Sequence, residues 1–199
     1  SAAVVVDQDW STIPAPPMHG NNSRVGQAID ALPYVTFIEI AQTFTVGITG
    51  TLARVDVLVH RLPITEGGLV SGSSDLVLDI WRAPLGTIGG DPNDLLGSVS
   101  VSKDAVPVRE TNPVIDFDLV KIDVLSLGIA VSMDDHLAIS LRSSGVYPVS
   151  LEWNTPYVWL GTDSMRGLDY SGGYRWSRGL PVDGIWRADW LDQAFRTYV

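Results

Sequence analysis

The chain has 199 residues, with 13 Lys+Arg against 23 Asp+Glu and a formal charge of −10. That balance leaves no net basic surface and argues against a nucleic-acid backbone as partner. The absence of cysteine removes disulfides, thiolate zinc sites and cysteine nucleophiles. No stretch reaches the ~18 consecutive apolar residues of a membrane-crossing helix, so no membrane span is predicted.

The identity of the charges says more than their sum. Nineteen of the acids are Asp and only 4 are Glu, while 11 of the bases are Arg and only 2 are Lys. Asp favours turns and caps, whereas the scarce Glu and Lys are the good helix formers. With 19 Gly and 12 Pro added, the composition reads as a β protein with many loops.

Taken in chain order, a first strand is predicted near 3–7, followed by the Pro-rich crossing Ile13-Pro-Ala-Pro-Pro17. A two-turn helix is predicted over Val25–Leu32, capped by Asn22 or Ser23 and ended by Pro33. A strand follows over 35–46. In Leu52–His60, Val55, Val57 and Val59 share one face with Asp56 on the other. Leu76, Leu78 and Ile80 alternate with Val77 and Asp79; Ile115, Phe117 and Leu119 alternate with Asp116 and Asp118; Leu137, Ile139 and Leu141 alternate with Ala138 and Ser140. Period two of this kind marks half-buried antiparallel strands, with one face on the core and the other toward water. Further strands are predicted near 95–102, 147–153, 157–160 and 192–198. Turn signals at Glu66-Gly-Gly68, Gly89-Gly-Asp-Pro-Asn93, Ser143-Ser-Gly145 and Ser171-Gly-Gly173 separate them. The reading is an all-β fold: one antiparallel β-sandwich domain over 1–199, jelly-roll-like.

The segment Ala41-Gln-Thr-Phe-Thr-Val-Gly-Ile-Thr-Gly-Thr-Leu-Ala-Arg-Val-Asp-Val-Leu-Val59 resembles a strand pair of bacterial exported β-sandwich domains, found in proteins with PEP-CTERM or other choice-of-anchor sorting signals. Val6-Asp-Gln8, Leu96-Gly-Ser-Val99, Phe117-Asp-Leu119, Leu137-Ala-Ile-Ser-Leu141, Tyr170-Ser-Gly-Gly-Tyr174 and the closing Leu191–Val199 match the same pattern in order. The resemblance spans nearly the whole chain and consists of strand and turn residues. It implies an exported, non-catalytic, jelly-roll-like domain, with no catalytic set to transfer. The Ser1-Ala-Ala start, without Met, fits an extracellular or cell-surface protein exported by a removed signal peptide.

Eleven of 17 aromatic residues fall after position 146. Trp and Tyr faces stack on the C–H faces of sugar rings, so Trp153, Trp159, Tyr170, Tyr174, Trp176 and Trp186 are candidate carbohydrate-binding residues. The competing reading is that such rings fill the core, each burying roughly 150–250 Å². Asp91, Asn93 and Asp94 form an oxygen-rich loop suited to a structural calcium ion, or to turn formation alone. The terminal segments are apolar, and Val4, Val5, Val6, Phe195 and Tyr198 are candidates for strand-mediated assembly with like subunits, a homo-oligomer. His19, His60 and His136 lack metal spacing, and no nucleophile elbow or phosphate loop is present.

The expectation is a non-enzymatic module binding polysaccharide through aromatics of the C-terminal third. The alternatives are a self-assembling structural subunit of a filament or surface layer and, behind it, a glycan-cleaving enzyme.

Overall fold

A computed structural model of the chain describes residues 4–10, 22–29, 35–61, 75–108, 119–144, 157–163, 170–180, 185–189 and 191–199. Its strands are β1 (Val6–Asp9), β2 (Asn22–Ile29), β3 (Val35–Thr45), β4 (Gly50–Thr51), β5 (Arg54–Val57), β6 (Val59–Arg61), β7 (Leu76–Arg82), β8 (Leu95–Val101), β9 (Val120–Asp123), β10 (Ala130–Val131), β11 (His136–Ser143), β12 (Tyr157–Asp163), β13 (Arg175–Leu180), β14 (Arg187–Asp189), β15 (Leu191–Gln193) and β16 (Phe195–Tyr198). The helical elements are single 3₁₀ turns. Among the described residues no helix is long and apolar enough to cross a membrane.

Two antiparallel sheets face each other. The smaller of these has the order β1-β16-β5-β9, and β4 and β10 pair as a separate two-stranded ribbon. The larger has ten strands along β15-β12-β2-β3-β11-β7-β8, with β13 on β3, β14 on β13 and β6 on β12. The period-two pattern builds the main core between them. Ile40 and Phe44 of β3, Leu76, Leu78 and Ile80 of β7, and Leu137, Ile139 and Leu141 of β11 point inward. They meet Val55 and Val57 of β5, Ile122 of β9 and Phe195 of β16. The fold is the all-β sandwich expected. One core drawing on positions 40 to 195 joins both sheets.

Three expectations change. Within the predicted helix, residues 30–32 lie outside the described residues, and residues 25–29 belong to strand β2, paired with β3 and β12. Its Val25 and Ile29 are β-branched, and pairing on both sides outweighs the weak local helix signal. The C-terminal strand β16 lies inside the small sheet between β1 and β5, so Phe195 and Tyr198 are buried and unavailable to another subunit. Asp56 and Asp79 do lie on outward faces, yet they are only 1% and 2% exposed, because neighbouring side chains cover them. The predicted strands over 115–118 and 147–153 lie outside the described residues.

The outward face of the small sheet is a charge ladder. One row runs Asp9, Arg196, Asp56, Lys121 across β1, β16, β5 and β9; the next runs Val6, Tyr198, Arg54, Asp123. The Arg54 guanidinium lies 3.7 Å from the Tyr198 ring centroid and 2.9 Å from Asp56, while the Tyr198 hydroxyl donates to Asp56 Oδ2 at 3.0 Å. Arg196 pairs with Asp9 at 3.0 Å. Charged neighbours of opposite sign across a ladder stabilise pairing and suppress other registers.

Candidate functional site: the outward face of the large sheet

The residues of β3, β7 and β11 that do not enter the main core point the other way. Register places Trp176, Ala41, Ser140, Asp79 and Ser98 in one row across β13, β3, β11, β7 and β8. Beside it, Arg178 sits opposite Glu39. Ala41 and Ala138 give this face a low floor, on which large side chains lie flat. Trp81, Trp186, Ala83 and Ile88 pack there as a second, smaller core, with Trp176 against it. Gly90, at φ +75, sits against the Trp186 indole; a Cβ there would lie 3.3 Å from Cδ1 in a backbone conformation that L side chains rarely adopt. Gly173 is constrained more tightly, since its Cβ would overlap the Thr43 carbonyl.

Two carboxylates lie on this face, Glu39 beneath the aromatic layer and Asp79 beneath Arg142, whose side chain is 40% exposed. Glu39, 2% exposed, accepts from Arg178 Nε at 2.8 Å and Nη2 at 2.7 Å, and from the Ser140 hydroxyl at 2.5 Å. Trp81 Nε1 donates to the same Ser140 oxygen at 2.9 Å. The Arg178 guanidinium stands 4.6 Å from the Trp186 ring centroid and 5.5 Å from that of Trp81. Asp79 accepts from Arg142 at 2.6 and 3.3 Å and from the Ser98 hydroxyl at 2.5 Å. Burial pushes the Glu39 carboxyl above its ordinary value; Arg178 and the Ser140 hydrogen bond oppose that, and the nearby Asp79 charge adds to it. Each carboxylate is thus matched by one arginine fork and one serine hydroxyl, an arrangement that fixes side chains in place.

The structure separates the six aromatic candidates. Trp159 is fully buried in the main core, with its indole N–H donating to the Ala194 carbonyl at 2.9 Å. Tyr170 packs edge-on to Phe195, its hydroxyl donating to Gln8 Oε1 at 2.9 Å, and burial pushes its phenol well above the usual range. Trp186 is 7% exposed beneath the loop at Gly90. Those three are packing residues and present no ring face to a ligand, which corrects their reading as binding residues. Trp153 lies outside the described residues. Tyr174 and Trp176 remain. Tyr174 is 64% exposed, anchored because its backbone N–H and carbonyl both bond the Thr43 hydroxyl. Trp176, two residues on, is half-buried. Ala188, directly opposite Trp176, is exposed, as are Ile185 and Arg187 on the same segment. The indole N–H groups of Trp176 and Trp186 are buried and meet no acceptor among the described residues.

The oxygen-rich loop does turn chemistry. Asp91 caps the 3₁₀ turn at Pro92, its Oδ1 accepting from the Asn93 backbone and side-chain nitrogens at 2.9 Å each. Asp135 likewise accepts from the Ser132 N–H. Among the described residues, no three His, Asp or Glu side chains are grouped to hold a metal ion. His60 is buried and His136 exposed, its Nδ1 3.1 Å from the Thr45 hydroxyl; His19 lies outside the described residues.

Sequence reasoning missed Trp81, Glu39, Ser140, Arg142 and Arg178 as one cluster. The available signal was a charge inside an apolar strand: Asp79 in Leu76–Trp81, and Glu39 between Ile38 and Ile40. Such a charge needs a partner, and surplus arginine over lysine supplies bidentate ones. No family model, curated protein or solved structure matches the chain.

Proposed function

We propose that the protein is a non-enzymatic, exported β-sandwich module that binds neutral carbohydrate along β13 and β14, with Tyr174 and Trp176 as stacking faces. The carrying observation is that Tyr174, mostly exposed and anchored to Thr43 just before β13, stands two residues from the half-buried Trp176 at the start of that paired strand. Sites on strands held by register are pre-organised, which lowers the ordering cost of binding. Ala188, exposed and directly opposite Trp176, extends the apolar strip on the same face. The formal charge of −10 disfavours polyanionic glycans, so neutral polymers are the matched class. The resemblance to exported surface domains agrees with such a partner. Affinity gel electrophoresis through neutral polysaccharides tests the reading. Wild-type protein is retarded in at least one polymer, and Tyr174→Ala runs free in it while its melting temperature is unchanged.

A further inference from the structure

Among the described residues, the small sheet leaves two edges, β1 and β9. On β1, Val5 exchanges both backbone hydrogen bonds with Val199, at 2.8 and 3.0 Å. In an antiparallel pair such bonded residues alternate with residues whose N–H and C=O point to the other side, so Val4 and Val6 aim theirs outward. On β9, Val124 N–H bonds the Ala53 carbonyl, and the same alternation turns the N–H and C=O of Lys121 and Asp123 outward. The side chains at the β1 edge are apolar and exposed: Val4 54%, Val5 49% and Val6 43%. A bulge between Val6 and Gln8 limits the regular free run to the residues before it.

The two edges match. The pairs β1–β16, β16–β5 and β5–β9 are all antiparallel, so β9 runs opposite to β1. A copy displaced sideways in the same orientation would therefore bring its β1 antiparallel to β9, continuing one antiparallel sheet. The charge ladder continues as well. The row Asp9, Arg196, Asp56, Lys121 alternates in sign and ends on a cation, and its next member would be the anionic Asp9 of the neighbouring copy. In the adjacent row, Val6 of that copy would follow Asp123.

We propose that a second copy of this chain adds its β1 edge to the β9 edge, head to tail, joined by the backbone groups of Val6 with those of Asp123 and registered by Lys121 against Asp9. The joint uses two different surfaces, so it does not close on itself as a two-fold dimer does, and repetition gives a filament. It does not rest on the carbohydrate reading, since β13 and β14 belong to the other sheet.

Proline removes an outward N–H without disturbing the inward pairing. Sedimentation velocity on wild-type protein shows oligomers that lengthen with concentration. Val6→Pro and Asp123→Pro are each monomeric alone, with a wild-type circular dichroism spectrum. Their equimolar mixture forms a dimer that does not grow, because each supplies one intact edge. Lys121→Asp, which leaves the backbone intact, weakens association by roughly tenfold or more and covers the case of a proline variant that does not fold. A wild type that stays monomeric at every concentration, a folded Asp123→Pro that still assembles, or an undiminished Lys121→Asp overturns the proposal.

Discussion

The two outward faces of the sandwich bury carboxylates to the same degree by different means. On the small sheet, Asp56 is covered by Arg54 and Tyr198, whose outer atoms meet water; the Arg54 side chain is 35% exposed. On the large sheet, Glu39 lies under Arg178, itself only 16% exposed and sandwiched with Trp81 and Trp186. The first face is a wet ladder of alternating charge. The second seals Glu39 under an aromatic layer, while its other carboxylate, Asp79, lies under the 40% exposed Arg142. A buried ion keeps its charge at low cost only where its partner and hydrogen bonds replace the lost water, so a sealed pair is far more sensitive to losing one member.

The sharpest break of that comparison is removal of each arginine. Arg178→Ala leaves Glu39 buried without its cation and is expected to destabilise by about 3–5 kcal/mol. Arg54→Ala, at the solvated face, leaves Asp56 the Tyr198 hydroxyl and is expected to cost about 1–2 kcal/mol. Urea denaturation of both variants reads the difference, and equal losses would erase the distinction between the faces.

Next in size, Trp186→Ala strips the cover from Ala41, Trp81 and Ala138 and is expected to cost about 3 kcal/mol. A loss below about 1 kcal/mol would mean that the second core contributes little.

The pH dependence sharpens the same point. Glu39 holds its proton in the native state to a higher pH than in the unfolded chain. The native state thus binds that proton more tightly, so this group favours the fold below its unfolded value. That advantage disappears as pH rises through the native value. Glu39→Gln removes this contribution. The stability of wild type relative to Glu39→Gln is therefore expected to fall with rising pH across the window that begins at the ordinary carboxylate range. A difference independent of pH would contradict the sealed environment.

Much of this was legible in the sequence. Alternation in Leu76–Ile80 and Leu137–Leu141 located two central strands of the large sheet, and the turn signals at Gly89-Gly90 and Ser171–Gly173 fell between strands as read. Period two assigns a residue to a face but does not say what lies over that face. That is why Asp56 and Asp79 read as wet and proved covered. The same limit applied to the aromatics. Local sequence does not distinguish Trp159, which crosses into the main core, from Trp176, whose ring borders solvent; only the pairing of β12 and β13 with their neighbours separates them. β2 was missed because its helical spacing is a local signal, while its pairing with β3 and β12 is long-range.

The smallest effect on stability belongs to the residue with the largest assigned role. Tyr174 is mostly solvent-exposed, and its anchoring to Thr43 runs through the backbone, so Tyr174→Ala is expected to change stability by no more than about 0.5 kcal/mol. The most direct measurement is the retardation of wild type and Tyr174→Ala in neutral-polysaccharide gels, with a melting curve for each. Retarded wild type beside a freely running, equally stable Tyr174→Ala is the predicted result. A variant retarded as strongly as wild type, or a wild type retarded by no neutral polymer, would contradict the assignment of binding to this face.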